Sequence, residues 1–166
     1  MARRIHSPLA DILKKRMNFI EKIGAFLFGK TIKVNDPFFG VMIDADTHYE
    51  CRRFFGPTNK VVEIGLEKKG IESDQNQRDF FGWIEENFDL IVENISPLVE
   101  AEIVESISDF RIRNFNTEFI LEYLYIPKCE VDIFEWEIVF YADNELQHSC
   151  TIDMYGLEGY KVLIDG

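Results

Sequence analysis

The stretch from 74 to 110, DQNQRDFFGWIEENFDLIVENISPLVEAEIVESISDF, decides how the rest of the chain is read. Asp74 followed three residues on by Gln77 is a capping-box arrangement, in which each side chain satisfies a backbone amide of the first helical turn. From there Phe80, Ile84, Phe88, Ile91 and Ile95 recur at helical spacing and share one face. Asp79, Glu86, Asp89 and Glu93 fall nearly opposite. Ser96-Pro97 predicts a restart, because proline has no amide to donate and disfavours a helical residue before it, while serine is a good N-cap. A second helix is expected beyond it, with Val99, Ile103, Ile107 and Phe110 towards the core and Glu102, Glu105 and Asp109 displaced from it.

On either side of this stretch the apolar period falls to two. Short runs rich in β-branched and aromatic residues are punctuated by Asp36-Pro37, Gly40, Asp44 to Asp46, Gly56-Pro57 and Gly70, which predicts strands near 40–45, 47–55 and 60–67 joined as hairpins. After Asn116, Phe119, Leu121, Tyr123 and Tyr125 are expected on one face of a strand. Phe134, Trp136, Ile138 and Phe140 are expected on one face of the next, and Cys150, Ile152 and Met154 on one face of a third. Asp143-Asn144 supplies a turn, and Lys161 to Ile164 closes the sheet. The expected fold is α+β, with a mainly antiparallel sheet of about six to seven strands and a two-helix insertion in its middle.

Ahead of the strands, Ser7-Pro8 and Gly29 bracket an expected amphipathic helix from Pro8 to Phe28, with Leu9, Ile12, Leu13, Ile20, Ile23 and Leu27 on one face and Lys14, Lys15 and Lys22 on the other. Residues 1–30 hold seven Lys/Arg against Asp11 and Glu21, whereas 31–166 hold 11 basic and 28 acidic side chains. The chain of 166 residues therefore reads as a basic N-terminal helix, 1–30, and a single acidic domain, 31–166. A domain this acidic repels nucleic acid and anionic membrane and attracts basic proteins. The alternative use of residues 1–30 is as a membrane-surface or scaffold-docking helix. No run long and apolar enough for a spanning helix occurs, and Arg3, Arg4 and the charges that follow do not make an export signal. Cys51, Cys129 and Cys150 are odd in number and lack a CxxC pair, which predicts buried reduced thiols in a cytoplasmic protein.

Few residues suggest chemistry. Asp44, Asp46 and His48 alternate, so on one strand they would converge and could hold a divalent cation for a metal-dependent hydrolase; the same Asp residues suit a hairpin turn. His148 and Cys150 lie two apart, yet catalytic Cys/His partners meet across a fold, and a buried Cys150 beside a surface His148 is the expectation. There is no GxGxxG and no GxxxxGK[ST], so no cofactor is expected. Phe134, Trp136 and Phe140 lack the interleaved Lys or Arg of a base-stacking platform and read as core.

Asp36-Pro37-Phe38-Phe39-Gly40, opening the first hairpin, and the C-terminal run from Trp136 through Phe140-Tyr141, His148 and Asp153 to Ile164-Asp165-Gly166 resemble a loose group of small bacterial proteins of unknown function. The likeness covers residues 36–166 and leaves out the basic N-terminal helix. Many such domains are similar to immunity proteins of bacterial toxin systems. The resemblance implies an immunity protein, and the acidic charge without catalytic apparatus points the same way, to a non-enzymatic inhibitor of a basic, nuclease-like cognate toxin domain. The expected contact surface is the acidic helical face carrying Asp79, Glu86, Asp89, Glu93, Glu102, Glu105 and Asp109.

Overall fold

Eight strands and one long helix account for nearly all the regular structure in the computed structural model, which describes residues 32–68, 70, 72–129, 135–143 and 147–165. The strands are β1 (Lys33–Asp36), β2 (Gly40–Asp44), β3 (His48–Phe55), β4 (Lys60–Glu67), β5 (Phe119–Ile126), β6 (Glu135–Ala142), β7 (Ser149–Tyr155) and β8 (Glu158–Asp165). They lie side by side in sequence order in one sheet. Every pairing is antiparallel except β4 with β5, which is parallel. Two four-stranded meanders are thus joined at the middle of the sheet. A parallel pair needs a crossover, and the long helix α1 (Gln75–Ser106) supplies it. A single turn of helix, α2 (Phe115–Glu118), leads into β5 and stacks Phe115 on Phe119 and edge-on to Phe140.

The expected α+β fold with its two-helix insertion is corrected on three counts: the described residues are mostly sheet, that sheet is mixed and has eight strands, and among the described residues there is one long helix. α1 runs for 32 residues straight through Pro97. Ile95, Val99 and Ile103 are buried on the same face on both sides of that proline, and the apolar surface they remove from water outweighs the lost hydrogen bond. Ser96 does not cap a new helix; its hydroxyl turns back to donate to the Val92 carbonyl at 2.5 Å. The capping box at Asp74 is present as expected, with Asp74 accepting from the Gln77 amide. β1 adds the eighth strand; its four residues carry no alternating apolar signal.

β5 departs from simple alternation. Leu121 pairs with Phe140 and Tyr123 with Val139, so a bulge at Glu122 shifts the period by one residue. Phe119, Leu121, Leu124 and Ile126 therefore face α1 and are buried, while Tyr123 and Tyr125 point to the other face of the sheet. The core between α1 and the sheet is built from Met42, Phe55, Ile64, Leu66, Phe81, Ile84, Ile91, Ile138, Phe140, Ile152 and Met154, among others. Trp136 and Phe140 belong to this core, as expected; Phe134 lies outside the described residues, as does the whole of the expected helix from Pro8 to Phe28. Among the described residues no helix is long and apolar enough to cross a membrane.

Candidate functional site

α1 concentrates charge on the side away from the core. It carries eight carboxylates, Asp79, Glu85, Glu86, Asp89, Glu93, Glu100, Glu102 and Glu105, against the single basic residue Arg78. Arg78 does not screen them: its guanidinium donates to Ser73 Oγ at 2.9 Å and to the Ser73 carbonyl at 3.0 Å, and lies 3.5 Å from Asp36. Two of the eight are structural, since Glu85 accepts from the Gly56 amide at 2.8 Å and Glu100 from the Ile112 amide at 2.8 Å. Asp79, Glu86, Asp89, Glu93, Glu102 and Glu105 are exposed. Helical spacing places the first four on one stripe, while Glu102 and Glu105 lie farther round the cylinder. Asp79 accepts from Gln75 Nε2 at 2.7 Å. Asp109 is exposed as well, but it lies beyond the last helical residue, Ser106. The sequence-derived residues thus divide into a four-carboxylate stripe and a looser C-terminal group.

Leu90 was not singled out by sequence, and helical spacing places it at the edge of the stripe, between the stripe and Trp83, Asn87 and Asn94. Leu90 is 42% exposed, with Glu86 one turn before it, Glu93 one turn after it and Asp89 adjacent. In sequence it reads as one more apolar residue of the run Leu90-Ile91-Val92; only its register with Glu86 and Glu93 separates it from the buried Ile91.

Asp44, Asp46 and His48 are not brought together. A hairpin turn intervenes, with Asp46 in the left-handed region (φ 69°), so the three do not share a strand. Asp44 pairs with Lys68, and that hydrogen bond, followed by the Asp46 amide, holds its carboxyl below the usual range. Lys68 also donates to the Asp46 carbonyl at 2.7 Å. An ammonium therefore stands where the cation was expected. His48 is buried, with Thr47 Oγ1 3.1 Å from Nδ1 and Glu50 3.5 Å from Nε2. Among the described residues no group of three or more His, Cys, Asp or Glu side chains is placed to hold a metal ion.

All three cysteines are free and buried. Burial pushes the Cys150 thiol up to about 11; burial, with Asp36 adding to it, pushes Cys51 up to about 12. Neither is an activated nucleophile, because the thiolate is the reactive form. His148 precedes β7 and is half-buried, and its carbonyl accepts from the Ala142 amide at 2.8 Å.

The face of the sheet away from α1 holds a polar row that alternation along β5 had concealed. Glu50, Gly65, Tyr125, Glu137, Asp153 and Lys161 are successive cross-strand neighbours. Glu137 and Asp153 are opposed and buried, and Lys161 Nζ is 3.0 Å from Asp153. Burial, then the nearby Glu67 and Glu137 charges, push the Tyr125 hydroxyl up to about 12, so it stays protonated at neutral pH. The end of the Tyr123 side chain occupies the space over Gly65: a Cβ there would come within 2.8 Å of the Tyr123 Cζ. The row offers hydrogen bonds and charge, and neither Cys51 nor Cys150 lies on it.

The Asp36-Pro37-Phe38-Phe39-Gly40 segment proves to be a structural knot. Asp36 Oδ1 accepts from the amides of Phe38 and Phe39, and Oδ2 accepts from the amide and hydroxyl of Ser73, tying the β1–β2 turn to the start of α1. Arg53 stacks its guanidinium 3.8 Å from the centre of the Phe38 ring and donates to the Phe38 carbonyl. Comparison of the chain with protein-family models, with curated proteins and with solved structures found no match in any of the three. The resemblance to small bacterial immunity-like domains therefore rests on the two sequence segments, the first of which has an architectural explanation.

Proposed function

We propose that the protein is a non-enzymatic acidic binding protein, an immunity protein that neutralises a cognate basic, nuclease-like toxin domain by covering its active site. The observation that carries this reading is the unbalanced charge of α1, eight carboxylates whose one basic neighbour on the helix is committed to Ser73 and Asp36. A nuclease active site must attract phosphate, and a row of carboxylates on a rigid helix presents similar negative charge. Glu86, Asp89 and Glu93 speed encounter with Lys and Arg of the partner. Leu90, at the edge of the stripe, supplies apolar contact area that slows release.

Co-expression tests the reading. The gene next to this one is expected to encode a large secreted protein ending in a small basic domain, and that domain is expected to co-purify with this chain and lose its activity in the complex. A basic domain that stays active in the presence of excess chain, or that does not bind it, contradicts the proposal.

A further inference from the structure

β8 is the last strand of the sheet, and among the described residues it is bonded on one side only, to β7. The opposite edge, β1, is four residues long and is stopped by Pro37, which cannot donate to a ladder. β8 is longer and differently built. A bulge at Tyr160 sets off Lys161–Asp165, five residues in regular register with β7 from Asp153↔Lys161 to Ser149↔Asp165. Val162 and Ile164 lie on the α1 side, next to Ile152 and Cys150; Lys161, Leu163 and Asp165 lie on the other.

We propose that this segment pairs antiparallel with the same segment of a second copy, about a two-fold axis through Leu163, so that two sheets continue into one. An edge-to-edge pair that keeps both faces continuous must place same-face residues opposite each other. With the axis at Leu163, each Val162 meets the second copy's Ile164, each Lys161 meets the second copy's Asp165, and Leu163 meets itself. The apolar and the charged pairs are matched at once. Moving the axis to Val162 sets Lys161 against Leu163 and carries Asp165 to Gly159 across the bulge. Moving it to Ile164 sets Leu163 against Asp165 and leaves three paired positions. The Leu163-centred register is thus the one in which the edge is complementary to itself. A C2 contact of this kind requires that property.

Each chain carries a net charge of −12, so long-range repulsion opposes the pair and added salt strengthens it. That response has the opposite sign to the one expected for a basic partner on α1, and the contact uses different residues, so the two proposals stand or fall separately.

Sedimentation velocity on the full chain over a range of concentrations tests it. The expected result is a species of twice 19.5 kDa that grows with concentration and with salt. Leu163→Lys, which puts two ammonium groups on the axis, is expected to give a monomer. Asp165→Lys, at the exposed end of the strand, sets Lys against Lys161 twice and is expected to weaken association by about tenfold or more while leaving the fold intact. A mass of 19.5 kDa at every concentration, or a dimer that both variants leave unchanged, overturns the proposal.

Discussion

Asp36 shows how one side chain organises a corner of the molecule. Its burial, at 3% exposure, pushes the carboxyl up, but the hydrogen bonds from Phe39, Ser73 and Phe38 outweigh burial and hold it below its ordinary 3.8. A group whose folded pKa is depressed contributes stability that is fully present above the unfolded value and disappears as pH falls through the folded one. Unfolding free energy is therefore expected to drop below about pH 4, and Asp36→Asn should remove that part of the acid response while costing about 1–3 kcal/mol at neutral pH. Urea titrations of both proteins at several pH values check it; parallel curves below pH 4 contradict the assignment. Gly65 makes a second case, since Tyr123 occupies the space a side chain would need. Gly65→Ala is expected to destabilise by about 1–3 kcal/mol, and the double variant with Tyr123→Val to lose less than the sum of the two single changes. Additive losses would mean the ring does not rest on the glycine.

The long helix is where reading by local rules and the folded chain part. Ser96-Pro97 carries two strong local signals for a break, yet the period of Ile95, Val99 and Ile103 runs on through it, and burial of that stripe decides the outcome. The helix accepts a missing amide opposite the Glu93 carbonyl. Pro97→Ala restores that donor at an exposed position and is expected to raise stability by about 1–3 kcal/mol, read by thermal unfolding. A neutral or destabilising result would imply two helices meeting at Pro97. The hairpins β2–β3 and β3–β4 were legible because their turns carry Asp, Gly, Pro and Asn at the bends; Asn59 adopts φ 54° and closes the second with a 3.0 Å bond to Gly56. The parallel β4–β5 pairing was not legible, because it depends on where one continuous 32-residue helix, about 48 Å long, returns the chain. Nor was the bulge at Glu122, which leaves no mark in composition and moves Tyr123 and Tyr125 to the opposite face. Of the candidate site, the carboxylate stripe was legible from spacing alone. Leu90 was hidden because exposure depends on helix register and not on residue type.

At the scale of the whole molecule, charge is separated by element. α1 bears eight carboxylates and one committed arginine, while the N-terminal meander carries Lys33, Arg52, Arg53 and Lys60 along with its acids. The acidic side of the fold and the outer edge at β8 answer salt in opposite directions, which lets a single titration separate the two kinds of contact. The central claim is that the stripe Asp79, Glu86, Asp89 and Glu93 recruits a basic partner by electrostatic steering. Stopped-flow association of this chain with the basic domain encoded next to it, measured from about 0.02 to about 0.5 M NaCl, tests that claim most directly. The association rate is expected to fall by about tenfold to a hundredfold over that range. The variant Glu86→Lys/Asp89→Lys/Glu93→Lys should be slow throughout while keeping the wild-type unfolding profile. A rate indifferent to salt, or a triple variant that associates as fast as the native chain, contradicts it.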